Sequence, residues 1–375
     1  MTPERNEMLT RVGPGTPGGA MLRRYWWPVG FDEQIQKKIV PVRHLGEDFV
    51  LFRDATGTLA MLDAACAHRR ASLEHGRVED RGIRCCYHGW LYDTAGRCLE
   101  MPAEPPGSTL HEEVRQRSVP VQVVAGLIFA YLGPDPAPKI PRYDLLALDD
   151  CDRTIWAAED HCNWVQRAEN GVDAYHSMAL HASMYPSIAL KRPEVEFEKT
   201  WYGFRTHSVY PDGRINIVHD IFPSSTRRYN ARAGSIPSQF LHIRVPIDDL
   251  STMTFFVESK FKPEGPYKRE CRGYQTTVRG VYNHVEDGWW GLASEEQDRA
   301  AQESQGVIHD RSREFLATSD RGIVMWRKLA FDSIRAAKEG RDPHGIVREV
   351  DPNDIIHFDA GKNFTDHEKS AVLTT

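Results

Sequence analysis

The sequence predicts an α+β protein in two parts, a small all-β domain followed by a larger domain of strands with a long helical end. Three observations carry this. Residues from about 36 to 135 read as short strands separated by turn signals, a proline-rich joint follows, and helix-forming segments then flank a strand-rich stretch. The chain has 375 residues, too long for one ordinary core and comfortable for two.

Taken in order, Gly13 to Gly19 separates a short helix from an apolar segment, Met21 to Trp27. Residues 1–35 are expected to form a helical N-terminal segment that packs on the second domain. In the region 36–138, Phe49–Phe52 and Leu59–Leu62 flank Asp54-Ala55-Thr56-Gly57, which is hairpin chemistry. Trp90–Tyr92 and Arg97–Leu99 flank Asp93-Thr94-Ala95-Gly96 as a second hairpin, and Val119 to Leu132 is the expected closing strand. Pro134, Pro136 and Pro138 then resist both helix and central strand. In the region 139–375 the spacing predicts a helix over Asn163–Met178, strands from about Val195 to Phe261, and helix over much of Asp298–Lys338.

Composition narrows the function. A net charge of −6, with Arg and Lys scattered, offers no footprint for nucleic acid. The longest apolar run, Val119 to Gly133, falls short of the roughly 20 residues that span a bilayer. The first residues are charged and lack the apolar core of a signal peptide, so a cytoplasmic protein is expected. Seven cysteines are too few and too odd in number for a disulfide framework.

Two of those cysteines sit in a pattern that needs a metal. Cys66-Ala67-His68 is followed, after sixteen residues, by Cys85-Cys86-Tyr87-His88. Two thiolates and two imidazoles on paired hairpin tips suit a Rieske centre, in which two Cys hold one iron of a 2Fe–2S unit and two His the other. A tetrahedral zinc site is the competing reading, although zinc fingers generally pair Cys with Cys and His with His.

A second pattern comprises Asn163-Trp164, Glu169-Asn170, Asp173, His176 and His181. Two His and one carboxylate on one face bind non-haem Fe(II) and leave positions open for dioxygen. On an unbroken helix two histidines five apart splay by about 140°, so the helix is expected to end or distort between them. Asp173, three before His176, is expected to accept the ring N–H that a metal leaves free. Asn170 joins it as a candidate catalytic residue. The third ligand must lie much further on, and spacing does not choose among Asp298, Asp310, Glu314, Asp320 and Asp332.

Cys66-Ala67-His68-Arg69, His75-Gly76 and Cys85-x-Tyr87-His88-Gly89-Trp90 together resemble the Rieske box of aromatic-ring-hydroxylating oxygenases. Asn170-Gly171-Val172-Asp173-x-x-His176-x-x-x-x-His181 resembles the iron-binding helix of the same family. Gln302-Glu303-Ser304-Gln305-Gly306, Asp310 to Glu314 and Ser319-Asp320-Arg321-Gly322-Ile323 look like the C-terminal helix of its phthalate dioxygenase group. Asn6 to Pro17, Leu22 to Trp26 and Arg244-Val245-Pro246-x-Asp248-Asp249 resemble that group as well. One departure stands out: Cys86 occupies the place of the usual proline, and only Cys85 gives Cys-x-x-His with His88.

The resemblance implies a Rieske domain followed by a helix-grip (START-like) catalytic domain, in an oxygenase (alpha) component. It implies a 2Fe–2S cluster on Cys66, His68, Cys85 and His88, and mononuclear iron on His176, His181 and Asp320. It also implies a homotrimer or stacked trimers, with Asp173 relaying electrons between subunits. The electrons come from a separate ferredoxin-type reductase that carries the NAD(P)H site and flavin. The expected reaction is hydroxylation of a small aromatic substrate, an aromatic carboxylate in particular, by dioxygen. Arg205 and Arg244 are the candidate carboxylate ligands. Aryl-ether O-demethylation and a non-catalytic electron carrier are the competing functions.

Overall fold

A computed structural model describes residues 1–35, 38–230, 238–262, 264–277, 292–349 and 355–358. The chain divides into two compact units, one of Met1–Leu22 with Pro138–Thr375 and one of Arg23–Ala137. In the first unit lie α1 (Pro3–Thr10) and α2 (Pro17–Leu22). Residues 23–35, expected with this N-terminal segment, fall instead in the smaller unit. The reason is β1 (Trp26–Phe31), six buried residues paired antiparallel with the strand at Leu127–Tyr131.

Among its described residues the smaller unit holds three sheets. With β1 go β10 (Val121–Val124) and β11 (Leu127–Tyr131), in the order β1-β11-β10. The single closing strand expected over Val119–Leu132 is therefore a hairpin. Ala125 and Gly126 both take positive φ, 53° and 83°, which suits a two-residue turn between right-twisted strands. A second sheet orders β2 (Val40–His44), β3 (Glu47–Arg53), β4 (Leu59–Asp63) and β9 (Ser118–Val119). The third orders β5 (Arg77–Glu79), β6 (Gly82–Arg84), β7 (Leu91–Tyr92) and β8 (Cys98–Glu100). A short α3 (Leu110–Glu113) precedes β9. Val50, Phe52, Leu62, Ile83, Trp90 and Tyr92 pack into a core that also includes Cys66 and Cys85.

In the larger unit, α4 (Asp144–Ala147) leads into an eight-stranded sheet. Its strands are β12 (Cys151–Asp160), β13 (Glu194–Lys199), β14 (Gly203–Val209), β15 (Ile215–Ile221), β16 (Ser225–Asn230), β17 (Ser238–Pro246), β18 (Thr252–Phe261) and β19 (Arg269–Gln275). They run in the order β13-β14-β15-β16-β17-β18-β12-β19, antiparallel except for β12 against β19. Four helices matter to the site: α5 (Trp164–Val172), α6 (His176–Leu180), α7 (Ser294–Ser304) and α8 (Arg321–Lys338). Among the described residues no helix is long and apolar enough to cross a membrane.

The helix expected over Asn163–Met178 is two helices. Asn163 caps α5 by accepting from Val165 N at 3.1 Å, and the chain turns extended at Asp173, with φ −85° and ψ 104°. Buried charge anchors α5. Glu169 accepts from Arg311 Nη2 at 2.8 Å and from Arg327 Nε at 2.6 Å. Arg167 pairs with Asp160 at 3.0 Å. The long α8 reaches α5 through Gly322, where a Cβ would stand 2.2 Å from the Val172 carbonyl oxygen.

Candidate metal centres

In the smaller unit two loops close alike. Cys66 N donates to Ala71 O at 2.9 Å and Arg70 N to Cys66 O at 2.9 Å; Cys85 N donates to Trp90 O at 2.9 Å and Gly89 N to Cys85 O at 3.1 Å. The fourth residue after each cysteine, Arg70 or Gly89, takes a left-handed φ of 64° or 74°. Gln116 holds the first loop, accepting from Ala67 N at 2.8 Å and donating to Asp63 O and Ala65 O. Arg84, paired with Glu79 and Glu100, donates to Gly89 O at 2.6 Å and holds the second.

Cys66 and Cys85 are buried, whereas Cys86 is exposed, so the loop itself selects Cys85 as the inward thiol. The His68 and His88 rings lie 4.5 Å apart, and His68 stacks on Trp90 at 4.3 Å and 10°. His68 Nδ1 is buried with no hydrogen-bond partner, an orphaned ring nitrogen that ligation would satisfy. Two inward thiols and two neighbouring imidazoles, one of each from either loop, are the donor set of a two-iron cluster with two Cys on one iron and two His on the other. The Tyr92 hydroxyl lies 3.2 Å from Cys66 Sγ.

In the larger unit a different trio gathers. His176, His181 and Asp298 bring their ligand atoms within 4.8 Å of one another. Asp298 Oδ1 stands 3.5 Å from His176 Nε2 and 3.4 Å from His181 Nε2. First-row metal bonds of about 2.1 Å at right angles separate ligand atoms by about 3 Å, close to this spacing. Each Nδ1 already faces an acceptor: His176 Nδ1 the Asp173 carbonyl at 2.8 Å, His181 Nδ1 the Gln297 Oε1 at 2.8 Å. Those bonds put the ring hydrogens on Nδ1 and aim two Nε2 lone pairs and a carboxylate at one point, where a cation fits.

Electrostatics agree. Burial raises the Asp298 carboxyl, but the His181 hydrogen bond and the charges of His176, His181 and Arg167 outweigh it and hold it well below the usual carboxylate range. Burial lowers His181, and the bond and charge of Asp298 reverse that into a net rise.

Several expectations need correcting. Asp320 is absent from this trio: its Oδ2 accepts from Ala317 N at 2.6 Å, the work of a turn cap at the start of α8. The Asp173 carboxylate does not take the His176 ring N–H, which goes to the backbone carbonyl; instead it accepts from Tyr175 N at 2.9 Å and His176 N at 3.3 Å. The break that lets the two rings converge lies before His176 as well as at His181, which follows α6. Asn170 Nδ2 donates to Asp298 Oδ1 at 3.1 Å, a supporting contact.

Arg205 and Arg244 part company. Arg244 is buried on β17 and lines a cavity beneath α5 with Thr226 and Asp220. Arg205 pairs across the strands with His219, one residue out of step with the Asp220 face, and its guanidinium meets Glu198. It therefore points from the opposite side of the sheet. On the strand beside that of Arg244, Phe256 stacks on Trp156 at 5.0 Å, and Phe255 is buried on the other face. Gln297 went unanticipated; its only sequence signal is its position beside Asp298.

Residues 25–122 match the family described as Rieske [2Fe-2S] domain. The chain is similar to the 5,5'-dehydrodivanillate O-demethylase oxygenase subunit of Sphingobium sp. (strain SYK-6), 34% identical over 96% of this chain and 88% of that one. It is also 33% identical to phenoxybenzoate dioxygenase subunit alpha of Ectopseudomonas oleovorans, over 96% of this chain and 92% of the relative. In fold it resembles Pseudomonas putida CBB5 NdmA with caffeine, with a TM-score of 0.69 at 20% identity, covering 89% of this chain and 98% of the other.

Proposed function

The chain belongs to the Rieske non-haem iron oxygenases, as an oxygenase component, and from that premise we propose that it hydroxylates a small aromatic acid beside an iron held by His176, His181 and Asp298. One observation carries the reading: three donors converge on a point with both imidazole Nδ1 atoms already engaged. A bare electron carrier would have no use for that trio.

The cofactors are a 2Fe–2S cluster and a mononuclear iron; when bound they supply single electrons and activate dioxygen. The protein's own groups do the positioning. Cys66, Cys85, His68 and His88 would hold the cluster. Gln297 and the Asp173 carbonyl fix the tautomer and tilt of the two imidazoles, while Asn170 steadies the carboxylate. Arg244 is the candidate for the substrate's acidic group, being buried and on the sheet face under α5. Arg205 drops out of the substrate site.

Multicomponent enzymes of this family draw electrons from a ferredoxin or reductase and consume substrate and dioxygen. The reductase in our reading carries NAD(P)H and flavin, and the oxygenase is a cytoplasmic homotrimer, single or stacked. Asp173 relays the electron from one subunit's cluster to its neighbour's iron. Its carboxylate, set between the two helices and capping α6, is held still for that task. Aryl-ether O-demethylation is the second reading, favoured by the named activity of the Sphingobium relative.

The test is a panel of aromatic acids and aryl methyl ethers, run with NADH and a surrogate reductase while oxygen uptake, hydroxylated products and formaldehyde are followed. Hydroxylated ring acids without formaldehyde are expected. Formaldehyde from ethers alone would transfer the assignment to O-demethylation, and an Asp298→Ala variant that stays fully iron-loaded would remove the iron assignment.

A further inference from the structure

Beneath α5 the sheet presents a polar row that oxygen activation does not use. Cross-strand pairing sets Phe204 against Asp220, Asp220 against Thr226, Thr226 against His242 and His242 against Phe256, so these side chains share one face. Arg228 and Arg244 stand two residues along from Thr226 and His242, one on each side of the row. Gly171 of α5 lies over it: a Cβ there would be 2.8 Å from Thr226 Cγ2, 3.5 Å from Arg244 Nη1 and 3.7 Å from Asp220 Oδ1. The next residue back, Asn170, holds Asp298, so the row begins one residue from the support of the metal trio.

The hydrogen bonding of this row is incomplete. Asp220 is 4% exposed; its Oδ2 accepts from Thr206 Oγ1 at 2.8 Å, while Oδ1 is buried with no partner. Arg244, 2% exposed, donates from Nη1 to Thr226 Oγ1 at 3.3 Å, and its Nε is buried without a partner, as is the Nε of Arg228. Among the described residues no ion pair within 4.0 Å joins Asp220 to either arginine. Asp220 and Arg244 line one small cavity, with Arg228 beyond its lining, and open donors beside an open carboxyl oxygen are costly unless water or a ligand completes them.

We propose that Asp220 is a specificity-determining residue of the substrate pocket, its Oδ1 hydroxyl donating to the carboxylate of an aromatic acid whose charge Arg228 and Arg244 neutralise. This deepens the function proposed above and rests on it. Burial pushes the Asp220 carboxyl up to about 7, against the pull of Thr206, Arg228 and Arg244. The charged groups around it are few. Strand β16 contributes Arg228 and β17 contributes Arg244 and a neutral, buried His242; β14 contributes only Phe204 and Thr206, α5 only Ala168, Gly171 and Val172, and α8 only Trp326. Protonated Asp220 leaves two guanidinium groups to an anionic guest. Ionised Asp220 satisfies one of them itself and repels the guest.

Calorimetric titration of the iron-loaded protein with benzoate, and with neutral benzamide, tests this. Benzoate affinity is expected to fall about tenfold or more between about pH 6 and about pH 8.5, while benzamide affinity stays level. In Asp220→Asn the benzoate dependence should vanish, and in Thr206→Val it should move to higher pH, because a bond that favours the ionised form is gone. Benzoate binding that is level with pH in the wild type, or an unchanged profile in both variants, overturns the role of Asp220. Failure of every aryl carboxylate to bind at either pH, with aryl ethers binding, overturns the aromatic-acid reading itself.

Discussion

Asn170 Nδ2 lies 3.1 Å from Asp298 Oδ1, the same oxygen that stands 3.4 Å from His181 Nε2. A residue from the end of α5 thereby aims a ligand carried by α7, more than a hundred positions away. Asp298→Ala is expected to keep the Rieske EPR signal, lose the mononuclear iron and abolish turnover. Asp320→Ala is expected to keep both metal centres and full activity, with about 1 kcal/mol lost from its turn cap. Iron analysis beside oxygen uptake separates the two; a dead, iron-poor Asp320→Ala would reverse the assignment.

The adjacent thiols make opposite predictions. Cys85 is buried in the core and Cys86 is exposed. Cys85→Ser is expected to yield colourless protein without acid-labile sulfide, and Cys86→Ser to retain the full visible spectrum. A spectrum surviving Cys85→Ser would move the ligand.

Tyr92 touches the sulfur of Cys66 at 3.2 Å. An O–H···S bond favours the reduced, more negative cluster, so Tyr92→Phe should lower its potential. A bond worth about 1 kcal/mol corresponds to about 40 mV for a one-electron step. Potentiometric titration followed by EPR measures it, and a potential at or above the wild type would show that the bond does not reach the cluster.

Asp220 also predicts a pH dependence of stability. Its carboxyl lies near 7 in the folded chain and about 3.9 when unfolded. A raised value means that its contribution is fully present below about pH 4 and is lost as pH rises through about 7, because the unfolded chain ionises first. The amide introduced by Asp220→Asn does not titrate. The melting temperature of that variant relative to wild type should therefore rise by about a few degrees between pH 4 and pH 7, then level off. A constant difference across that range would count against a buried proton.

The sequence displayed both metal motifs because their ligands sit close together in the chain. Cys66 with His68, Cys85 with His88 and His176 with His181 are each local pairs whose spacing reports loop or helix geometry. Asp298, one of five candidate carboxylates, could not be singled out for a physical reason. On α7 it shares its buried side with Gln297, Gln302 and Glu303, and such a polar string reads as a solvated face until α5 and His181 cover it. Asp320 looked equally plausible in a string of the same kind, yet it sits at a helix start, where aspartate has a simpler use. Arg205 and Arg244 were indistinguishable for another reason: which parity of a strand faces the helices depends on the register of the whole sheet. The division of the closing strand at Ala125-Gly126 needed the backbone angles, since alanine seldom signals a left-handed turn.

The two cysteine loops fasten themselves to their own backbone, with Gln116 and Arg84 as external ties. Their shape is therefore independent of the side chains that meet the cluster. A ligand variant of this chain should remain a properly folded scaffold, silent in colour and in electron uptake but intact in outline. Mixed with wild-type protein, it offers a way to dilute conducting subunits among non-conducting ones and count how many a working assembly requires.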